Sequence, residues 1–95
     1  MDAKARKNRK VKIAKLILNH VKGTEWFSVY DVQSWWIDEK MKYCPSIHEL
    51  SRDLPAMNLD HILPTNWGEP WKYKVKYDEE GKAIAPYVYT EIKRN

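Results

Sequence analysis

The stretch Tyr43-Cys44-Pro45-Ser46-Ile47-His48-Glu49-Leu50-Ser51-Arg52-Asp53-Leu54 decides how this chain folds. Pro45 disfavours helix at the residue before it, so Tyr43–Pro45 reads as a turn. Ser46 and Glu49 then form an S-x-x-E capping box, in which each side chain satisfies a backbone N–H that the first helical turn leaves open. Behind the cap, Ile47, Leu50 and Leu54 recur at helical spacing and Met57 continues them, so one side of this helix faces a core. Pro55 lies inside the pattern and makes the helix kink or end near Leu54. A short turn is expected to follow, through Asn58 to Ile62.

Upstream of the turn, Ser28 with Asp31 three residues on resembles a second capping box, and opens a helix running to about Lys42. Val29, Val32 and Trp36 share its apolar face, whereas Trp35 lies nearer a polar side and is expected to be partly buried. Before it, Glu25-Trp26-Phe27 is a short aromatic link. The first helix is expected from about Lys10 to Lys22, with Val11, Ala14, Ile17, Leu18 and Val21 as its stripe, widened by Ile13 and Leu16. Gly23 is its natural C-terminal stop. Lys10, Lys12 and Lys15 near its start oppose the helix dipole, so helix stability does not explain them.

Downstream, Leu63–Pro70 is punctuated by two prolines and Gly68 and reads as loop. Trp71, Tyr73, Val75 and Tyr77 then alternate with Lys72, Lys74 and Lys76, the period-two pattern of a strand with aromatics on one side and lysines on the other. Asp78-Glu79-Glu80-Gly81 turns the chain. Ala83 to Ile92 returns as the second strand, with Pro86 marking an edge or a bulge. The expected fold is α+β: a three-helix bundle followed by a two-stranded β-hairpin, one domain over residues 10–95 preceded by a basic, flexible arm at 1–9.

The charge is uneven. The net formal charge is +4, yet residues 1–15 carry Lys4, Arg6, Lys7, Arg9, Lys10, Lys12 and Lys15 against Asp2 alone, which leaves the body near neutral. Such a block is either a phosphate-seeking arm or a solubilising terminus. The single cysteine, Cys44, has no internal disulfide partner, which favours a reducing, cytoplasmic setting. No apolar run approaches a membrane span, and no signal sequence is evident, so no membrane partner is expected.

In this order of elements the chain resembles the winged helix-turn-helix family, particularly the small single-domain versions of archaea, bacteria and their viruses. The resemblance covers about residues 11–92. It rests on the Val29–Lys42 helix, the Tyr43–Pro45 turn, the Ser46-capped helix, and Lys72–Tyr77, Gly81 and Tyr87–Ile92 as the wing. It implies a cytoplasmic or nucleoid-associated regulator of transcription that binds double-stranded DNA, with the third helix in the major groove. It implies that Ser46, His48, Glu49, Ser51, Arg52 and Pro55 form the exposed face of that helix, with Ser46, His48, Ser51 and Arg52 as its DNA contacts and Arg52 able to donate to a guanine edge. It implies further that Lys72, Lys74 and Lys76, with Lys7, Arg9, Lys10 and Lys12 of the arm, bind phosphates. It also places a small strand at Glu25–Phe27, paired with the wing, and allows a homodimer through Ile13 or Leu16. Two features depart from the family: the third helix sets one arginine against Glu49 and Asp53 and so is not basic, and the Asp78–Glu80 turn is acidic, which the minor groove would repel.

Each signal has a plainer alternative. Arg52 could pair with Glu49 or Asp53 on a solvated face. The lysine face could be the wet side of an edge strand. Trp35 and Trp67 could anchor an interface, but the small core favours covering its flanks. Two other functions therefore stand beside duplex binding: a protein–protein interaction module using exposed tryptophan, and single-stranded nucleic-acid binding by stacking. Cys44 and His48, with His61 or His20, lack the paired spacing of a zinc site. Cys44 itself reads as a buried turn residue. No glycine-rich phosphate loop, nucleophile elbow or H-E-x-x-H occurs, so neither a catalytic residue, a cofactor nor a small-molecule substrate is assigned.

Overall fold

The computed structural model describes residues 3–87. Three helices come first: α1 (Ala3–His20), α2 (Val29–Asp38) and α3 (Ile47–Asp53), the last running into a 3₁₀ turn at Leu54–Met57. Four short strands follow: β1 (Asp60–Ile62), β2 (Lys72–Lys74), β3 (Lys76–Tyr77) and β4 (Ala83–Ala85). β1 pairs antiparallel with β2, and β3 with β4. The fold is thus α+β, with helices first and hairpins after.

Both capping boxes form. Glu49 N–H donates to the Ser46 hydroxyl at 3.1 Å and Ser46 N–H donates to the Glu49 carboxylate at 3.0 Å. At α2, Ser28 N–H donates to Asp31 at 2.8 Å, and the Ser28 hydroxyl accepts from the backbone. Such caps define where a helix starts by satisfying donors that have no intrahelical partner. Pro55 sits in the first turn of the 3₁₀ segment, where its missing N–H costs nothing. Asn58 then takes the left-handed conformation (φ 61°), a state asparagine tolerates, and turns the chain into β1.

The core holds Ile13, Leu16, Ile17 and Val21 of α1, Val29, Val32 and Trp36 of α2, and Leu50, Leu54 and Met57 beyond. Phe27, Leu59, Tyr73, Val75 and Ala85 close it from the strand side. Trp36 is fully enclosed, and its indole N–H donates to the Lys42 carbonyl at 3.0 Å, so its one polar atom is satisfied. Phe27 and Tyr73 exchange both backbone hydrogen bonds, at 2.7 and 2.9 Å. Phe27 therefore lies on one edge of β2 and β1 on the other. The small strand implied at Glu25–Phe27 is present as this single bridge.

Several expectations change. α1 begins at Ala3, so residues 3–9, expected as a flexible arm, are helical here. Its buried stripe centres on Ile13 and Ile17, while Leu18 is exposed. Ile13 and Leu16, named for a dimer seam, are consumed by the core. α2 ends at Asp38 rather than about Lys42. The turn expected through Asn58–Ile62 is instead the strand β1. The run Trp71–Tyr77 keeps its alternation, with Tyr73 and Val75 buried, but is shared between two partners: its first half pairs with β1 and its second with β4. The return strand is described only as Ala83–Ala85, and residues 88–92 lie outside the described residues. Cys44, expected to be buried, is exposed.

Candidate nucleic-acid interface

Helix α3 carries three different faces. Leu50 and Leu54 point into the core. Glu49 and Asp53, one turn apart, point toward α1, where Arg9 meets both. The Arg9 Nε donates to Asp53 at 2.8 Å and an Nη donates to its other oxygen at 3.2 Å. The second Nη donates to Glu49 at 2.6 Å. This is a two-pronged guanidinium–carboxylate contact with a second acceptor alongside, the geometry that arginine's planar fork favours. Arg9 is only 7 % exposed. The Asp53 hydrogen bond raises its pKa against the opposing effect of burial. The Glu49 carboxyl is held below its usual range, first by the Ser46 backbone N–H and then by the charge of Arg9.

Arg9 was expected on phosphate. It is instead the clamp between α1 and α3, and leaves the list of candidate contacts. Its consequence for the site is larger than the loss of one cation. Glu49 and Asp53 share the single guanidinium of Arg9 on the inner side of α3, and the three groups together keep one net negative charge. The outward arc then presents His48, Ser51 and Arg52, all exposed, with Ser46 at the cap. Among the described residues, neither His48 nor Arg52 forms an ion pair.

Ser51 also borders a cleft of about 330 Å³ between α3, the start of α2 and the loop joining β1 to β2. Val29, Tyr30, Ile47, Gly68, Pro70, Trp71 and Tyr73 complete it. The 63–71 loop thus stands beside the outward face of α3. Its stem is braced by Trp71, whose indole stacks on His61 with centroids 5.3 Å apart and planes 13° off parallel.

The strand lysines have three different settings. Lys72 is exposed, opposite Ile62. Lys74 is half-buried, with Nζ 4.8 Å from the Trp26 ring centroid, a cation–π contact that still leaves it near the surface. Lys76 is half-buried and engaged, 3.6 Å from Asp60 and 3.4 Å from the Asn58 side chain. The expected row of three equivalent lysines is therefore two, and Lys76 is engaged at the surface by Asp60 and Asn58. On α1, Lys7 and Lys10 are half-buried and Lys12 is exposed. Lys12 borders a separate cleft with Trp36, Lys42 and Tyr43, so it joins α2 rather than the strands.

The tryptophans also sort differently from expectation. Trp35 is half-buried against the core and stacks on His20 at 5.0 Å, as a flank cover does. Trp67 was expected to cover the core in the same way, but it is fully exposed at the tip of the 63–71 loop. Sequence reasoning missed this tip, although Asn66-Trp67-Gly68-Glu69 is itself a turn signal. It also missed Tyr30 and Trp71 as walls of the cleft. Among the described residues, no group of three His, Cys, Asp or Glu side chains is arranged to hold a metal ion, and no helix is long and apolar enough to cross a membrane. Comparison with protein-family models, with curated proteins and with solved structures finds no match.

Proposed function

We propose that this chain is a winged-helix protein that binds double-stranded DNA, as a regulator of transcription does, with α3 in the major groove. In this reading the wing is the β1–β2 hairpin with its 63–71 loop, and β3–β4 is an added hairpin. The observation that carries the reading is that Arg9 draws Glu49 and Asp53 to the inner side of α3, which leaves His48, Ser51 and Arg52 as the outward chemistry of that helix. Arg52 would donate to a guanine edge, and His48 and Ser51 would meet bases or the adjacent phosphate. Lys72 and Lys74 would neutralise phosphates beside the groove. The order helix, bridge strand, helix, helix, strand, loop, strand supports the assignment, since this plan is a recurrent way of presenting a helix to a duplex.

Binding sites selected from random duplexes, followed by mobility shift of Arg52→Ala and Lys72→Ala, test the proposal. Arg52→Ala should relax preference at one base pair and weaken the selected site by about 1–3 kcal/mol. Lys72→Ala should weaken all sequences alike and reduce the magnitude of the log–log salt slope by about one. With the two phosphates of Lys72 and Lys74 engaged, the wild-type slope should be about −2. A protein that shifts no duplex at low salt would end the proposal.

A further inference from the structure

We propose that Trp67 is a wedge that inserts between base pairs of the bound duplex and kinks it. This inference rests on the duplex-binding reading and adds a deformation step to it. Trp67 has 103 % relative exposure, the highest among the described large hydrophobic side chains. It is nevertheless held at the apex of a closed turn. Glu69 N–H donates to the Asn66 carbonyl at 3.3 Å, and the Asn66 side-chain amide donates to the Glu69 carboxylate at 3.0 Å. Gly68 has φ 87°, the left-handed geometry that a type II turn requires at its third position. The indole is therefore presented outward by a backbone bonded to itself from both sides.

The surroundings name the occupant. Residues 64–68 carry no charged side chain, and the loop's acid, Glu69, is engaged by Asn66. A neutral aromatic tip has nothing to offer a phosphate, but it matches the face of a base. Gly68, Pro70 and Trp71 of the same loop line the cleft with Ile47 and Ser51 of α3, so the loop adjoins the helix that bears His48 and Arg52, and Lys72 begins the strand that follows it. The positive charges of Arg52 and Lys72 complement a polyanion, which favours nucleic acid over a protein surface as the neighbour of Trp67. Apolar side chains that enter a base step unstack it and bend the duplex, and pyrimidine–purine steps yield most easily.

The test uses the full chain and a mixed-sequence duplex of about 20 bp with a central TA step, labelled at both ends for energy transfer, a length suited to reading a kink. Wild type, W67A and W67F are compared. Wild type should shorten the end-to-end distance, W67F should keep part of the effect, and W67A should abolish the bend and weaken binding roughly tenfold or more. Circular dichroism should be unchanged, because Trp67 buries nothing in the fold. If wild type binds the duplex but W67A binds and bends it equally, the wedge is refuted and duplex binding stands. If wild type binds no duplex, both readings fall. If sedimentation shows a dimer that W67A dissolves with the DNA response intact, the indole serves self-association and the wedge is refuted.

Discussion

Replacing Arg9 separates two views of the N-terminal basic segment. On the sequence view Arg9 is one of several phosphate contacts, so Arg9→Ala would lower DNA affinity and leave the fold alone. The structure predicts the reverse order of effects. Asp53 is 2 % exposed and takes both of its hydrogen bonds from Arg9. Removing the guanidinium leaves a buried carboxylate with no compensating charge, a class of change that costs about 3–5 kcal/mol. Glu49 keeps its Ser46 contact and is partly exposed, so it adds little to that figure. The low end, about 3 kcal/mol, is already a large share of the stability of a domain this size, which is on the order of 5–15 kcal/mol. At roughly 4–8 °C per kcal/mol, Tm should fall by at least about 12 °C in a calorimetric scan. Arg9→Met with Asp53→Leu should recover much of the loss, because the pair itself gains little over an apolar contact. A Tm for Arg9→Ala within about 3 °C of wild type, with a DNA salt slope reduced by about one, would refute the clamp and return Arg9 to the phosphate contacts.

Two further outcomes follow from the same geometry. Ser46→Ala removes the α3 cap and should cost about 1 kcal/mol in urea unfolding, with Ser46→Gly costing only a few tenths. The Glu49 carboxyl is held below its ordinary value near 4.5, first by the Ser46 N–H. Its contribution to stability is therefore fully present above the unfolded-state value and is lost as pH falls through the lower folded-state value. Glu49→Gln should remove that part of the acid unfolding transition, read by ellipticity between about pH 5 and 2.

What the sequence made legible was local. Ser28/Asp31 and Ser46/Glu49 announce helix starts because both partners of each box lie within one turn of chain. The alternation of Tyr73 and Val75 with lysines fixes which side of that segment is buried. The misses share a different cause. β1 has three residues, too few for a period to show, and its existence depends on β2 arriving from ten residues further on. Nothing local to Trp71–Tyr77 tells that two partners divide it. Arg9 looks like every other cation in its segment until Asp53, distant in the chain, is placed beside it. Trp67 was assigned to the core because the domain is small, yet the turn that exposes it is written in Asn66 and Gly68.

The acidic Asp78–Glu80 turn shows why the pairing of strands matters to function more than their number. If Trp71–Tyr77 and Ala83–Ile92 formed the hairpin that touches DNA, that turn would be its tip, and three carboxylates would face the most negative groove of the duplex. The actual pairing puts the turn on β3–β4, a different hairpin from the one that flanks α3. Two contacts anchor β3–β4 elsewhere: the Tyr77 hydroxyl donates to the Gly23 carbonyl at 3.0 Å, at the far end of α1, and Tyr87 N–H donates to the Met57 carbonyl at 2.7 Å, past the end of α3. Asp78 turns its own carboxylate inward to accept from the Glu80 and Lys82 backbone. The hairpin beside Ile47 and Ser51 instead ends in a loop tipped by an indole, with one carboxylate, Glu69, held by the Asn66 amide. Splitting one apparent strand between two partners thus sets Asp78–Glu80 apart from the face of α3 that bears Arg52, and Arg9 holds Glu49 and Asp53 on the inner side of that helix. A duplex docked on His48, Ser51 and Arg52 would meet lysine and tryptophan at its flank, and the carboxylates that argued against such docking in the linear sequence lie on other surfaces.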